Sequence, residues 1–224
     1  TILSADFNGD GRLDLVADTP YDIIRVFLNG GGNFTARDLP RPGTDFPLGT
    51  TQSLAVGDLD GDGDPDLVRI QKIFIFGRGR VPTVAIYTNQ GNGTFTGTHT
   101  ILPKTPLAIL MGDPWRDGRD QYVILNEDDT VTANGKDYAT GLGAQTMALG
   151  EVDGDGILDL VVGTGTLSFD VFLGRADRTF ASAISYTSQG GAALGVVDFD
   201  GDGRVEIVTG NGYFIDVIPN LCLP

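Results

Sequence analysis

The stretch Gly57-Asp58-Leu59-Asp60-Gly61-Asp62-Gly63-Asp64-Pro65-Asp66 sets five aspartates at alternate positions, and it constrains the chain more than any other segment. So dense a row of like charge repels itself and opposes compaction. A hard divalent cation removes the conflict. Calcium takes about 6–8 oxygen ligands at roughly 2.3–2.6 Å, from carboxylates, carbonyls and water. Gly61 and Gly63 let the main chain wind tightly around one centre. The expected ligands are the side chains of Asp58, Asp60, Asp62 and Asp66, with the main-chain carbonyl of Asp64 between them.

The pattern recurs three more times. One copy carries Asp6, Asn8, Asp10 and Asp14; another Glu151, Asp153, Asp155 and Asp159; the last Asp198, Asp200, Asp202 and Glu206. Each offers oxygen donors at loop positions 1, 3, 5 and 9 and a glycine at position 6. Position 7 varies freely (Arg12, Asp64, Ile157, Arg204), as expected where only a main-chain carbonyl is needed. Four such loops predict about four bound Ca²⁺ ions. An EF-hand is excluded. It needs a glutamate at position 12 and flanking helices, whereas position 12 here is Ala17, Arg69, Val162 or Thr209. The flanks are short aliphatic and β-branched runs such as Ser53-Leu54-Ala55-Val56, which read as strands.

The loops begin at residues 6, 58, 151 and 198, with a damaged copy at 113. Each unit with a full turn motif continues with a third apolar run, a glycine-rich turn and a closing phenylalanine: Phe34, Phe95 or Phe180. These phenylalanines are expected in the core between neighbouring units. Four antiparallel strands per roughly 40–50 residues is the signature of a propeller blade. The expected fold is therefore all-β: a β-propeller of about five four-stranded blades, with a calcium loop between the first two strands of each blade. It would form one domain over 1–224, with repeats at approximately 1–49, 50–104, 105–143, 144–190 and 191–224. The last repeat ends on its third strand. Either that blade has three strands and Pro219 blunts its edge, or the edge pairs with another chain. The monomer is the favoured state.

The copy at Asp113 departs from the pattern. Trp115 replaces the second ligand, Gln121 the last, and Arg116 adds positive charge. No calcium, or a weak site, is expected there. Trp115 is also the single tryptophan. Exposed, it is a candidate contact for a sugar ring or a protein ligand; turned inward, it fills the space of the lost metal.

The pairing of Asp-x-Asp-x-Asp-Gly-x-x-Asp with a downstream hydrophobic-Asn-x-Gly-x-Gly-x-Phe resembles the FG-GAP/VCBS repeats of integrin α-chain propellers, fungal propeller lectins and many bacterial secreted proteins. The resemblance implies calcium on one rim of the propeller and a secreted, extracellular location. It also implies a non-catalytic, lectin-like or adhesion role, with carbohydrate or an extracellular protein as partner.

Other classes find less support. The net charge is −15, and nearly two thirds of the 30 acidic residues lie in the five loops. Nucleic acid is thus a poor partner, because its binding needs a basic footprint. No run is long enough to span a membrane. One cysteine, Cys222, permits no internal disulfide. His99 is the lone histidine, and no nucleophile elbow or phosphate loop is present, so no catalytic residue is assigned. The alternative is a secreted polysaccharide-degrading enzyme, or a fragment of one, using carboxylates far apart in sequence. The apolar hairpin Ile73-Phe74-Ile75-Phe76-Gly77, flanked by Lys72, Arg78 and Arg80, is either a longer blade hairpin or a protruding contact.

Overall fold

A computed structural model describes residues 1–19, 23–39, 50–75, 77, 79–165, 167–190 and 192–219. Phe76 and Arg78 of the apolar hairpin, and Cys222, lie outside the described residues. Among those described, the regular elements are all strands, in six antiparallel sheets. Among the described residues no helix is long and apolar enough to cross a membrane. The chain divides into two compact units, Thr1–Met111 and Gly112–Pro224.

In the first unit, β1 (Ile2–Ala5), β2 (Asp14–Asp18), β3 (Ile24–Asn29) and β4 (Phe34–Asp38) form one sheet in chain order. A second sheet holds β5 (Thr50–Gly57), β6 (Asp66–Ile75), β7 (Gly79–Asn89) and β8 (Phe95–Ile101). Side chains alternate between the two faces of a strand, and the apolar residues follow that period. Leu3, Ala5, Val16, Ile24, Val26 and Leu28 of the first sheet share a core with Leu54, Val56, Leu67, Ala85, Tyr87 and Phe95 of the second. Phe7, from the first acidic loop, is inserted in this core with its ring edge-on to Phe95, centroids 5.8 Å apart.

The third sheet contains β9 (Pro106–Gly112), which runs up to the division, then β10 (Gln121–Asn126), β11 (Thr130–Ala133) and β12 (Lys136–Ala139). The fourth contains β13 (Ala144–Gly150), β14 (Asp159–Thr164) and β15 (Ser168–Phe172). Beyond a two-residue pair, β16 (Gly174–Arg175) and β17 (Thr179–Phe180), β18 (Ile184–Thr187) completes it. The fifth has three strands, β19 (Ala193–Val197), β20 (Glu206–Gly210) and β21 (Ile215–Ile218). In the second unit Val152, Val161, Phe169 and Val171 pack against Leu194, Val196, Ile207 and Ile218. Phe95 and Phe180 are buried, as expected for closing phenylalanines, but Phe34 is exposed. The Phe7 ring covers Phe95, whereas Phe34, paired with Asn29, lies on the face of the first sheet opposite the core that holds Val26 and Leu28.

Candidate metal centre

Each intact acidic loop joins the first two strands of its sheet. The residue before the loop pairs with the ninth-position acid in every case: Ala5 with Asp14, Gly57 with Asp66, Gly150 with Asp159 and Val197 with Glu206. Within that hairpin the first acid gathers the loop's amides. Asp58 accepts hydrogen bonds on Oδ1 from the N–H groups of Gly61 (2.7 Å) and Asp62 (3.2 Å), and on Oδ2 from Gly63 (2.8 Å). Asp6 takes Gly11 (2.7 Å), Asp198 takes Gly201 (2.7 Å) and Gly203 (3.0 Å), and Glu151 takes Gly154 (2.5 Å). The winding needs the left-handed region, which glycine enters without a Cβ penalty; φ is 80° at Gly61 and 89° at Gly63.

The ninth-position acid is buried and does a second job that the sequence pattern does not announce. Asp66 accepts from the N–H of Leu59 (3.0 Å) with one oxygen and from Asn89 (2.8 Å) with the other. Asp14 binds Phe7 (2.9 Å) and Asn29 (2.7 Å) in the same way, and Asp159 binds Val152 (2.8 Å) and Gly174 (2.7 Å). Glu206 takes the Phe199 amide at 2.7 Å. At Asp14, Asp66 and Asp159 one carboxylate thus ties the loop to the residue at or just past the end of the third strand, and Asp159 and Glu206 also bring an oxygen within 4.8 Å of other acids of their loops.

Among the described residues, three groups of carboxylates bring their oxygens within 4.8 Å of one another: Asp58, Asp60 and Asp62; Glu151, Asp153 and Asp159; Asp198, Asp200 and Glu206. Oxygens so spaced fit around one hard divalent ion with bonds of roughly 2.3–2.6 Å. The chemistry of the donor set, all oxygen and mostly anionic, suits calcium. The first loop has only Asp6, Asp10 and Asp14 as acids, with Asn8 supplying a neutral oxygen. Asp66 is absent from the second group, held instead on its two amides.

The side chain at position 7 has a role that the sequence expectation left out. Position 7 is not indifferent in its side chain. Arg12 reaches the fifth-position Asp10 (2.5 Å), and Arg204 reaches Asp202 (2.6 Å). The guanidinium neutralises that carboxylate and competes with an ion for it, and Asp202 stands outside its loop's group of three. Arg12→Ala and Arg204→Ala are therefore expected to tighten divalent-ion binding at the first and fifth loops. An exposed ion pair is worth little, so the gain is expected to be small, read as a lower Kd by calorimetry.

Crowding of acids shows in their protonation. Burial, and then the charges of Asp153 and Asp155, push the Asp159 carboxyl up to about 6. Burial raises Asp66 and Asp153 too, while the Gly11 amide lowers Asp6 and Arg204 lowers Asp202. For Asp159 the folded value lies above the unfolded one, so the folded state binds more protons between them. Its stabilising contribution is present below about 4 and is lost as pH rises through about 6. Ion-free protein is expected to melt lower at pH 7.5 than at pH 5. Added calcium, or Asp159→Asn, should shrink that difference in a thermal-melt series.

The loop beginning at Asp113 keeps the winding and loses the donors. Asp113 still collects the amides of Asp117 (3.0 Å) and Gly118 (2.8 Å), and Arg116 takes the left-handed turn at φ 51°. Its fifth-position Asp117 is ion-paired with Arg178, whose carbonyl accepts from Asn134 Nδ2. Trp115 is half-buried against Phe180, centroids 5.9 Å apart, with its indole N–H buried. That placement matches the space-filling reading of Trp115 better than a rim contact.

The sequence reading also missed Asn89. Buried at the end of β7, it donates from Nδ2 to the carbonyls of Phe7 (3.0 Å) and Pro65 (3.1 Å), tying the first loop to the second. Its signal was the Asn of the hydrophobic-Asn-x-Gly turn, read there as turn chemistry alone.

A family model described as FG-GAP-like repeat matches residues 6–68 and 151–209. No curated protein matches the chain. Among solved structures, the chain is similar over 98% of its length to a Bacillus licheniformis rhamnogalacturonan lyase PL11, with TM-score 0.53 and 17% identity. It spans 46% of that lyase chain. Structures of BBS1N in complex with ARL6DN, soaked with mercury or lead, align at 14% and 12% identity over 99% and 98% of the chain. Their TM-scores are 0.46 and 0.45, and the alignments cover 92% of each of those chains.

Proposed function

Since the chain belongs to the family of FG-GAP-like repeats, we propose that it is a non-catalytic, calcium-loaded propeller module of about five blades, working outside the cell and binding carbohydrate or an extracellular protein. The observation that carries this is the repeated clustering of carboxylate oxygens within 4.8 Å, inside loops whose amides already wind around the first acid. Calcium would lie among Asp58, Asp60 and Asp62, among Glu151, Asp153 and Asp159, and among Asp198, Asp200 and Glu206. Asp6, Asn8, Asp10 and Asp14 make the fourth candidate, for about four ions. Bound calcium would neutralise each cluster and hold the first two strands of the blade. The chain's residues then do the rest: the ninth-position acid carries that constraint to the third strand. Weak loops of this kind fill where calcium is millimolar, which is outside cells.

Calorimetry on chelator-stripped protein tests the metal half; about four sites are expected, and none would overturn it. Carbohydrate is favoured over protein as ligand by the likeness to a polysaccharide lyase. The same likeness supports a second reading, a polysaccharide-degrading enzyme or a piece of one. A glycan array combined with turnover assays on the bound glycans separates the two. Retention without product supports the binding module, and product formation supports the enzyme.

A further inference from the structure

We propose that the cleft between the third and fourth sheets, at Lys136 and Arg175, binds a sugar ring that bears an anionic group, a carboxylate or a sulfate. It rests on the reading of the chain as a carbohydrate-binding module, and gives that reading a place and a ligand class. The cleft has a volume of about 320 Å³, within the roughly 300–1,000 Å³ of small-ligand sites. Both of its walls lie in the second unit: one is β12, the other runs from Phe172 to Ala183.

The floor of the cleft is tied together before any ligand arrives. The Tyr138 hydroxyl oxygen accepts the Phe180 amide N–H at 3.0 Å. The Tyr138 ring stands edge-on to Phe172 and Phe180, with centroids 6.3 and 5.7 Å apart. All three side chains are buried, so binding orders little and loses little to entropy. Above them Ala181 and Ala183 are small enough to leave room for a ring, and Ser182 between them is exposed and offers a hydroxyl.

The charges select the ligand. The chain carries −15, yet the lining of this cleft holds Lys136 and Arg175 against the single acid Asp137. Lys136 Nζ lies 5.0 Å from the centre of the Tyr138 ring, a contact that fixes the ammonium without neutralising it. Arg175 opens the turn Arg175-Ala176-Asp177-Arg178. The matching turns of the first two sheets read Gly30-Gly31-Gly32-Asn33 and Gln90-Gly91-Asn92-Gly93, with no cation, so the turn does not need the charge in order to form. Arg178 is engaged by Asp117; among the described residues neither Lys136 nor Arg175 is in an ion pair. The two cations do act on one place. The Thr179 hydroxyl first, then its amide and the charges of Arg175 and Lys136, hold the Asp177 carboxyl below its ordinary range.

Asp137 decides between a sugar and an acidic peptide. Its Oδ1 accepts the Thr132 hydroxyl at 2.6 Å, and a carboxylate has acceptor capacity for further donors. A ligand that is anionic throughout meets repulsion there. A ring with one anion and several hydroxyl donors satisfies both signs.

Calorimetry on the whole calcium-loaded chain compares a galacturonate trisaccharide, a sulfated galactose trisaccharide, its unsulfated parent and triglutamate. An anionic sugar is expected to bind at least about tenfold more tightly than the neutral parent, as one charge-assisted hydrogen bond allows. The two anionic arms tell carboxylate from sulfate, and affinity should fall as salt rises. Lys136→Ala and Arg175→Ala should each weaken binding about tenfold. Lys136→Arg, which keeps the charge and the ring contact, should restore most of it. Unchanged melting curves check that the variants fold. A neutral sugar bound as tightly as both anionic ones, or full affinity in the double alanine variant, overturns the inference and leaves the binding-module reading standing. Triglutamate bound in preference to the sugars overturns the ligand class. If none of the three sugars binds, the inference falls, and the glycan array decides the broader reading separately.

Discussion

Asp66→Ala is expected to lower the unfolding midpoint by roughly 5–20 °C, with or without calcium. The carboxylate is buried and accepts the amides of Leu59 and Asn89. Removing it leaves two N–H donors unsatisfied in a dry setting, at about 1–3 kcal/mol each. A domain of this size loses about 2–4 °C per kcal/mol. Asp60→Asn is the contrast: Asp60 is exposed and belongs to the second loop's group of three. Its substitution should leave the chelated protein unchanged and reduce only the calcium-dependent part of stability. Thermal melts of both variants in calcium and in chelator make the comparison. An Asp66→Ala effect seen only with calcium would mean that the acid acts through the ion and not through its amides.

Chelation of the unaltered protein should produce the other large effect. A ligand at one hundred times its Kd stabilises by about 2.7 kcal/mol per site. About four sites would then supply roughly 10 kcal/mol, and the melting temperature should fall by on the order of 20 °C or more in excess chelator. A superimposable pair of melting curves would sink the metal reading. A fall of a quarter of that size would point to one occupied loop, and single substitutions at Asp60, Asp153 and Asp200 would say which.

Metal ligation demands particular atoms at particular spacings, which is why the acidic loops could be read from the chain alone. Period-two apolar runs made the strands just as legible, and the short last repeat offered a three-stranded sheet as one of two readings. What could not be read is what side chains do once neighbours arrive. Arg12 and Arg204 occupy a position where only the main chain had seemed to matter, yet their guanidinium groups lie on Asp10 and Asp202. Asp14, Asp66 and Asp159 look like any other acid of the pattern, but burial and two amides set them apart. Phe34 closes a glycine-rich turn as Phe95 does, yet Phe95 is buried against Phe7 while Phe34 is exposed. Arg178 lies far along the chain from Asp117, and no local pattern links the two.

That last pair would stand beside the proposed calcium as a second kind of countercharge. A free ion leaves when its concentration falls, and its grip follows the surroundings. A guanidinium joined to the backbone has an effective concentration set by its tether, whatever the solution contains. If calcium fills the other loops as proposed, the loop at Asp113 would keep its shape at calcium concentrations where they slacken.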